Sequence, residues 1–330
     1  MGIFVLDGGF FTTVQDLGRW GVQKDGVPVS GVMDDFASRL ANFLVGNEAN
    51  EAVLEITMLG PTLRFEIGTV VAICGGEFSG KLNDQSVPLW QPFMVQPGDI
   101  LAIGACRIGY RGYVAVSGGL HVPLLMNSRS TYTKAAIGGF YGRPLQKDDE
   151  LSLRPAPCLP EWQPSWGIAF SIRQYINSQE KVIRAVEGPD FHTFTKESIE
   201  HFFTEVYEVT TQSDRMGYRL RGQKLQRSVD QEIVSEAVTF GTVQVPASGD
   251  PIVLMADRQT TGGYPRIAQV LAVDLPILAQ ARPGDRIRFQ PSSWQEAQRL
   301  YIQREREMMY SRAIIRQKWR EINGANRFKL

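Results

Sequence analysis

Histidine and cysteine are scarce in this 330-residue chain, with three of each. His121, His192 and His201 stand apart without HxH or HExxH spacing, and Cys74, Cys106 and Cys158 form no CxxC. These absences exclude the common transition-metal sites and most histidine-based catalysis. The odd, dispersed cysteines read as reduced and mostly buried thiols. An excess of either charge is lacking too: Lys+Arg and Asp+Glu number 35 each, so no net field favours nucleic acid or an anionic membrane. No apolar run reaches the roughly 18 residues that span a bilayer. The start MGIFVLDGGFFTTVQD has no basic or long apolar block of a secretory signal, and Leu6 stands where myristoylation wants Ser or Thr. A cytoplasmic protein is expected.

Familiar catalytic signatures are missing as well. GGEFSGKL (75–82) follows an apolar run and resembles a phosphate-binding loop, but Leu82 occupies the position that must ligate Mg2+. The following NDQSVPLW has turn and strand chemistry, so no helix N-terminus is there to hold phosphates. The stretch is expected to be a hairpin turn with a solvated Lys81. VSGG at Ser117 lacks the glycine of a nucleophile elbow. No lysine sits in an MKM-like setting, so biotin, if used, would arrive on another protein.

What is present is a soluble, strand-rich composition of 43% hydrophobic and 21% charged residues with 32 glycines and 18 prolines. The length fits two domains of roughly 150 residues each. TVVAICG (69–75), GDILAIG (98–104), RGYVAVSGG (111–119), GTVQVP (241–246) and DRIRFQ (285–290) read as short strands between turn residues, as in barrels and sandwiches. RPAPCLPEWQPSW cannot continue a sheet and reads as a linker over 154–166, between domains at 1–153 and 167–291. Helical spacing from Met33 to Leu44 predicts a helix capped by Asp34 and followed by Gly46. A shorter helix is expected over 195–203. A capping box at Ser293 and Glu296 opens a final helix over 292–324, about 45 Å long, whose Arg/Glu pattern reads as a solvated face. QPGDILAIG (96–104) and RPGDRIRFQ (282–290) share a turn leading into a strand. LGPTLRF (59–65) and VPASGDPI (245–252) lie upstream of each, and QDLGRWG (15–21) faces SDRMGYR (213–219). The echo suggests a duplicated β-rich unit.

Polar clusters set between apolar runs carry the functional signal. DRQTTGGYPRI (257–267) separates PIVLMA (251–256) from IAQVLAV (267–273), although a connection needs only turn residues. It supplies Asp257, Arg258, Gln259, Thr260, Thr261, Gly262, Gly263 and Tyr264. TTVQDLGRWG with GVPVSGVMDD supplies Gln15, Asp16, Arg19 and Ser30; NSRSTY supplies Arg129, Ser130 and Thr131; SDRMGYRLRG supplies Asp214, Arg215, Tyr218 and Arg219. Each cluster alone is equally well a hydrogen-bonded β-turn. Together they suit a small anionic or acyl-phosphate-like ligand: arginine forks bind carboxylate or phosphate in two-pronged fashion, and Gly-Gly admits close backbone approach.

These strings, with ANFLVGNEANEAVLEIT (41–57), GGFYGR (138–143), DRMGYRL (214–220) and SEAVTFGTVQVP (235–246), resemble the biotin-dependent carboxyltransferase, or allophanate hydrolase subunit 2, family over nearly the whole chain. The likeness runs to the branch that forms the C component of bacterial 5-oxoprolinase, known in bacilli for antagonism of a sporulation kinase inhibitor. The resemblance implies a mainly β protein of two cyclophilin-like β-barrel domains, with a few helices and a long C-terminal helix. It implies a heteromer with the 5-oxoprolinase B component. Together with the A component, that heteromer would cleave 5-oxo-L-proline to L-glutamate at the expense of ATP and its Mg2+. Under that reading Asp214, Arg215, Asp257 and Arg258 are the candidate catalytic residues: the arginines clamp anionic groups, and Asp214, Asp257 or Asp16 positions a proton or the nucleotide's Mg2+. Gln244, Gln259, Thr260 and Tyr264 orient the lactam. Two alternatives stay open: a urea carboxylase-like carboxyltransferase taking carboxybiotin from a separate carrier, and a non-enzymatic protein that sequesters the B component. Asn127 stands where the family usually has Gly before SRSTY, and the charged final helix is not a family hallmark.

Overall fold

A computed structural model of the chain describes residues 2–155, 164–176, 180–229 and 233–327. Cys158 and most of the proline-rich stretch lie outside the described residues. Two compact units interleave along the sequence: Met1–Arg19, Asp34–Asn177 and Arg306–Leu330 form the first, Trp20–Met33 and Ser178–Glu305 the second.

The first unit contains β1 (Gly2–Asp7), β2 (Phe11–Gln15), α1 (Asp35–Leu44), β3 (Val53–Thr57), β4 (Thr62–Phe65), β5 (Thr69–Leu82), β6 (Gln85–Ser86), β7 (Pro92–Val95), β8 (Ile100–Val116) and β9 (Glu150–Ser152). Its curled sheet runs β2-β3-β8-β4-β1-β9, with β5 pairing β6, β7 and β8. The inward side chains, among them Val5, Leu54, Leu63, Ile73, Leu101 and Val114, form one core. The strands expected over 98–104 and 111–119 are one long β8, because β5 accompanies it through three register shifts between Gly75 and Gly80. GGEFSGKL is therefore strand, not turn. Lys81 is exposed as expected, and the chain reverses after it at Asn83 and Asp84, with φ of 48° and 67°.

The second unit contains β10 (Glu180–Glu187), α2 (Lys196–Thr204), β11 (Val206–Val209), β12 (Gly217–Arg221), β13 (Glu236–Ala237), β14 (Thr242–Gln244), β15 (Ile252–Leu254), β16 (Thr261–Gly262), β17 (Arg266–Val270), α3 (Leu275–Ala279) and β18 (Arg286–Pro291). Seven strands close as β10-β17-β14-β15-β12-β11-β18, with β10 parallel to β18; closure leaves no unpaired barrel edge. The period of two is plain in β18, where Ile287 and Phe289 enter the core while Arg286 and Arg288 face out. Tyr207 also enters that core, yet its hydroxyl has no hydrogen-bond partner among the described residues, and burial pushes the phenol well above its ordinary value. Since an unsatisfied buried hydroxyl costs about 1–3 kcal/mol, Tyr207→Phe is expected to be neutral or stabilising in urea unfolding. A loss above about 1 kcal/mol would show that the hydroxyl is satisfied.

The Pro-Gly-Asp echo is a shared turn. Gly98 and Gly284 both have φ of 91°. Gly98 N–H donates to Phe65 O at 2.7 Å and Gly284 N–H to Val209 O at 2.8 Å. Asp99 and Asp285 carboxylates accept from Gln96 N–H at 2.7 Å and Arg282 N–H at 3.1 Å. The partner of Phe65 in β4 is thus Val209 in β11, not VPASGDPI, which leads into β15.

Helix ends obey their caps. The Asp34 carboxylate accepts from Ala37 N–H at 2.9 Å to open α1, and Thr195 Oγ1 accepts from Ser198 N–H at 3.1 Å to open α2. The last helix, α4 (Trp294–Arg327), opens with Ser293 Oγ accepting from Glu296 N–H at 3.1 Å. Glu296 does not complete the capping box, because its carboxylate pairs with Arg299. Nor is α4 simply solvated: Met308, Ile315 and Ile322 are buried at seven-residue spacing. Trp319 Nε1–H donates to Leu44 O at 3.1 Å, and Arg312 and Arg316 pair with Glu48. No helix of the described residues is long and apolar enough to cross a membrane.

Candidate functional site

In the first unit the sequence-predicted polar residues gather where the 125–131 loop meets β2. Asp16 accepts four donors: Gly18 N–H at 2.9 Å, Ser128 Oγ–H at 2.7 Å, Arg129 N–H at 2.6 Å and Ser130 Oγ–H at 2.5 Å. The fully buried Arg19 donates from Nε to Leu125 O at 3.1 Å and from Nη2 to Ser130 O at 2.8 Å. Gln15 Nε2–H donates to Thr13 Oγ1 and Thr131 O, both at 3.0 Å, while Thr131 Oγ1–H donates to Val14 O at 2.8 Å. These groups chiefly satisfy one another, so this cluster is a clasp fixing the loop on the strand. Asn127 has φ of 61°, a left-handed backbone that asparagine tolerates in place of glycine. Arg129 is half-buried, and its Nε has no hydrogen-bond partner among the described residues.

The second unit is organised differently, around a buried ion pair. Arg215 donates from Nε to Asp257 Oδ2 at 2.8 Å and from Nη2 to Asp257 Oδ1 at 3.0 Å and Gly31 O at 2.6 Å. Asp257 N–H donates to Arg215 O at 2.7 Å, so backbone and side chains lock the two hairpins. Gly31 is preceded by Ser30, which is buried with φ of 55° and has a hydroxyl without a hydrogen-bond partner among the described residues. A non-glycine residue held in that backbone region is a strain usually retained at functional sites.

Arg258, next to the pair, is 5% exposed and has no carboxylate within 4.0 Å among the described residues. Its Nη1 reaches Met255 O and Ala256 O only at 3.4 and 3.5 Å, Nε has no partner among the described residues, and Cζ lies 5.8 Å from the Phe240 ring centroid. Burial pushes its pKa down to about 10 while the Asp257 charge pulls upward. The described residues give this buried guanidinium no anionic partner, a setting that suits an anionic ligand.

The Gly-Gly loop is built for close approach rather than for unusual φ. Gly262 pairs with Glu236 in the ribbon β13–β16, and a Cβ on it would lie 2.4 Å from Gln244 Nε2. A Cβ on Gly263 would come within 3.0 Å of Ser235 Oγ. Gln244 is buried and donates to Tyr264 O at 3.4 Å, whereas Tyr264 itself is half exposed. Gln259 and Thr260 are half-buried and Thr261 is exposed. Thr260 O accepts from Val238 N–H at 3.1 Å. Tyr218 points into the barrel core, and its hydroxyl donates to Ala281 O at 3.2 Å. Asp214 is exposed and caps its turn, accepting from Met216 N–H at 2.8 Å and Gly217 N–H at 3.2 Å.

A nucleotide's Mg2+ does not fit these carboxylates. Asp16 already accepts four hydrogen bonds, both Asp257 oxygens face Arg215, and Asp214 closes a turn. Burial raises the Cys74 thiol well above its usual value, so it is inert as a nucleophile. Two participants escaped the sequence reading. The Gly31 carbonyl carries no side-chain signal, and Phe240 reads as an ordinary core aromatic.

The family description "Carboxyltransferase domain, subdomain A and B" matches residues 25–291. The C component of 5-oxoprolinase from Haemophilus influenzae is 38% identical over 317 residues, covering 96% of this chain and 99% of that protein. Its Escherichia coli counterpart is 40% identical over 293 residues, covering 89% and 92%. Among solved structures, the urea amidolyase of K. lactis superposes with a TM-score of 0.88 at 32% identity over 94% of this chain. The chain spans only 20% of that larger enzyme.

Proposed function

The chain belongs to the carboxyltransferase-domain family, subdomains A and B, and from that premise we propose that it is the C component of an ATP-dependent 5-oxoprolinase, acting with the B and A components. The supporting observation is the buried guanidinium of Arg258, which has no carboxylate partner among the described residues and directly follows the Asp257 carboxylate that holds Arg215. 5-Oxo-L-proline carries one carboxylate on a small ring, and Arg258 would receive that carboxylate as a charge-assisted fork. Arg215 and Asp257 would act by position, holding the two hairpins so that Arg258 and Ser30 meet the ligand preorganised. Gln244 and Tyr264 would orient the lactam amide from the Gly-Gly loop.

A lactam amide is resonance-stabilised and resists water; phosphorylation of its carbonyl oxygen by ATP would create the leaving group. Because Asp16, Asp214 and Asp257 are already engaged and do not suit Mg2+, the nucleotide and its ion would sit on a partner protein, and the isolated chain is expected to be inactive. The test is to co-express the chain with candidate B and A components and follow 5-oxoproline-dependent ADP release. Release only when all three are present supports the reading; full activity of the other two without this chain overturns it.

A second reading draws on the likeness to urea amidolyase. In it the same anion site would receive carboxybiotin from a separate carrier, and avidin would abolish the reconstituted activity. Binding of the B component with no change in its ATP hydrolysis would instead favour the sequestering role.

A further inference from the structure

A cavity of about 370 Å3 opens in the first unit, on the face of β5 that the phosphate-loop-like sequence occupies. Its floor is apolar and aromatic, with Phe78, Val87, Leu89 and Trp90. The segment Phe170–Ile176 forms one wall and is fastened from behind: Tyr175 O–H donates to Asp34 Oδ2 at 2.7 Å, and the Tyr175 ring meets Phe36 edge-on at 5.6 Å. Trp90 is 3% exposed in a left-handed backbone with φ of 60°, its indole N–H donating to Gly75 O at 3.2 Å. A large aromatic residue held there is strained, and its surroundings must over-determine it.

The charged groups of the lining do not balance. Glu77 pairs with Arg107 at 3.4 Å, which leaves Lys81 and Arg173. Neither has a carboxylate within 4.0 Å among the described residues. Arg173 Nε is buried without a hydrogen-bond partner among the described residues, and its Cζ lies over the Phe170 ring at 5.3 Å. Two uncompensated cations above an aromatic floor suit a ligand that joins an anion to a flat apolar body.

We propose that this cavity is a second ligand site, taking a small molecule in which one phosphate or carboxylate is carried on a flat apolar ring. The apolar ring lies against Phe78 and Trp90 while Arg173 and Lys81 hold the anion. The site is independent of Arg258 and of the reaction proposed above, so each reading can fail alone.

The test uses phenyl phosphate as probe in calorimetric titration of the full chain, with phenol and inorganic phosphate as controls. Phenyl phosphate is expected to bind at least ten-fold tighter than either control. Arg173→Met is expected to weaken it at least ten-fold and Lys81→Met several-fold, with Arg258→Met unchanged. Lys81 lies exposed on a strand, so its variant keeps the test decisive if Arg173→Met fails to fold. Benzoate in place of phenyl phosphate distinguishes a carboxylate site from a phosphate site. Failure of both phenyl phosphate and benzoate to bind tighter than the controls, or binding unaffected by Lys81→Met, would overturn the proposal.

Discussion

Arg258→Met is expected to lower turnover of the reconstituted assembly at least 100-fold while making the chain more stable. The two effects share one cause. Burial pushes the guanidinium from its ordinary value down to about 10, against the pull of Asp257. The folded value lies below the unfolded one, so between those pH values the unfolded chain binds the extra proton and stability rises with pH. At neutral pH both states are charged, and the whole burial cost remains. Methionine fills similar volume without charge and should recover about 1–3 kcal/mol, seen as a melting temperature several degrees higher. Loss of the anion receptor removes a charge-assisted contact, each worth roughly 2–4 kcal/mol at a preorganised site. Turnover within three-fold of the parent would remove Arg258 from the mechanism.

Asp257→Ala is expected to act in the opposite direction on stability. It takes both carboxylate oxygens from Arg215, a side chain only 8% exposed, and breaking such a buried pair typically costs about 3–5 kcal/mol. The double variant Asp257→Ala with Arg215→Met should recover most of that loss, because it leaves no buried charge behind. Urea unfolding of the two single variants, the pair and the parent reads the coupling directly. A single-variant loss below about 1 kcal/mol would mean that the pair does not hold the hairpins.

Much of the fold was legible because it rests on local rules. Asp34 caps the helix that the sequence assigns to it, a helix stands at Lys196–Thr204 where one was expected over 195–203, and both Pro-Gly-Asp turns repeat one hydrogen-bond pattern. What escaped depends on long-range pairing. The glycines of β5 and β8 look like turn punctuation, yet cross-strand pairing carries the strands through them as bulges. The transfer of Trp20–Met33 to the second unit has no compositional signal. The seam of Met308, Ile315 and Ile322 was hidden among charged neighbours that cover it.

The candidate site shows the same division. The unusual chemistry of residues 257–267 was visible as excess polarity between core strands, and the resemblance supplied its context. Which of those polar groups are already satisfied was not visible. Asp16 and Arg19 look as ligand-ready in sequence as Arg258 does, yet two hydroxyls occupy the Asp16 carboxylate and two carbonyls hold Arg19 Nε and Nη2. Arg215 likewise becomes a positioning residue once its fork is seen on Asp257.

The most direct measurement is a crystal structure of the assembled complex soaked with 5-oxo-L-proline. The account predicts a carboxylate oxygen about 2.7–3.0 Å from Arg258 Nε or Nη, with the Arg215–Asp257 pair undisturbed. Ligand bound elsewhere, with Arg258 still resting on the Met255 and Ala256 carbonyls alone, would contradict it.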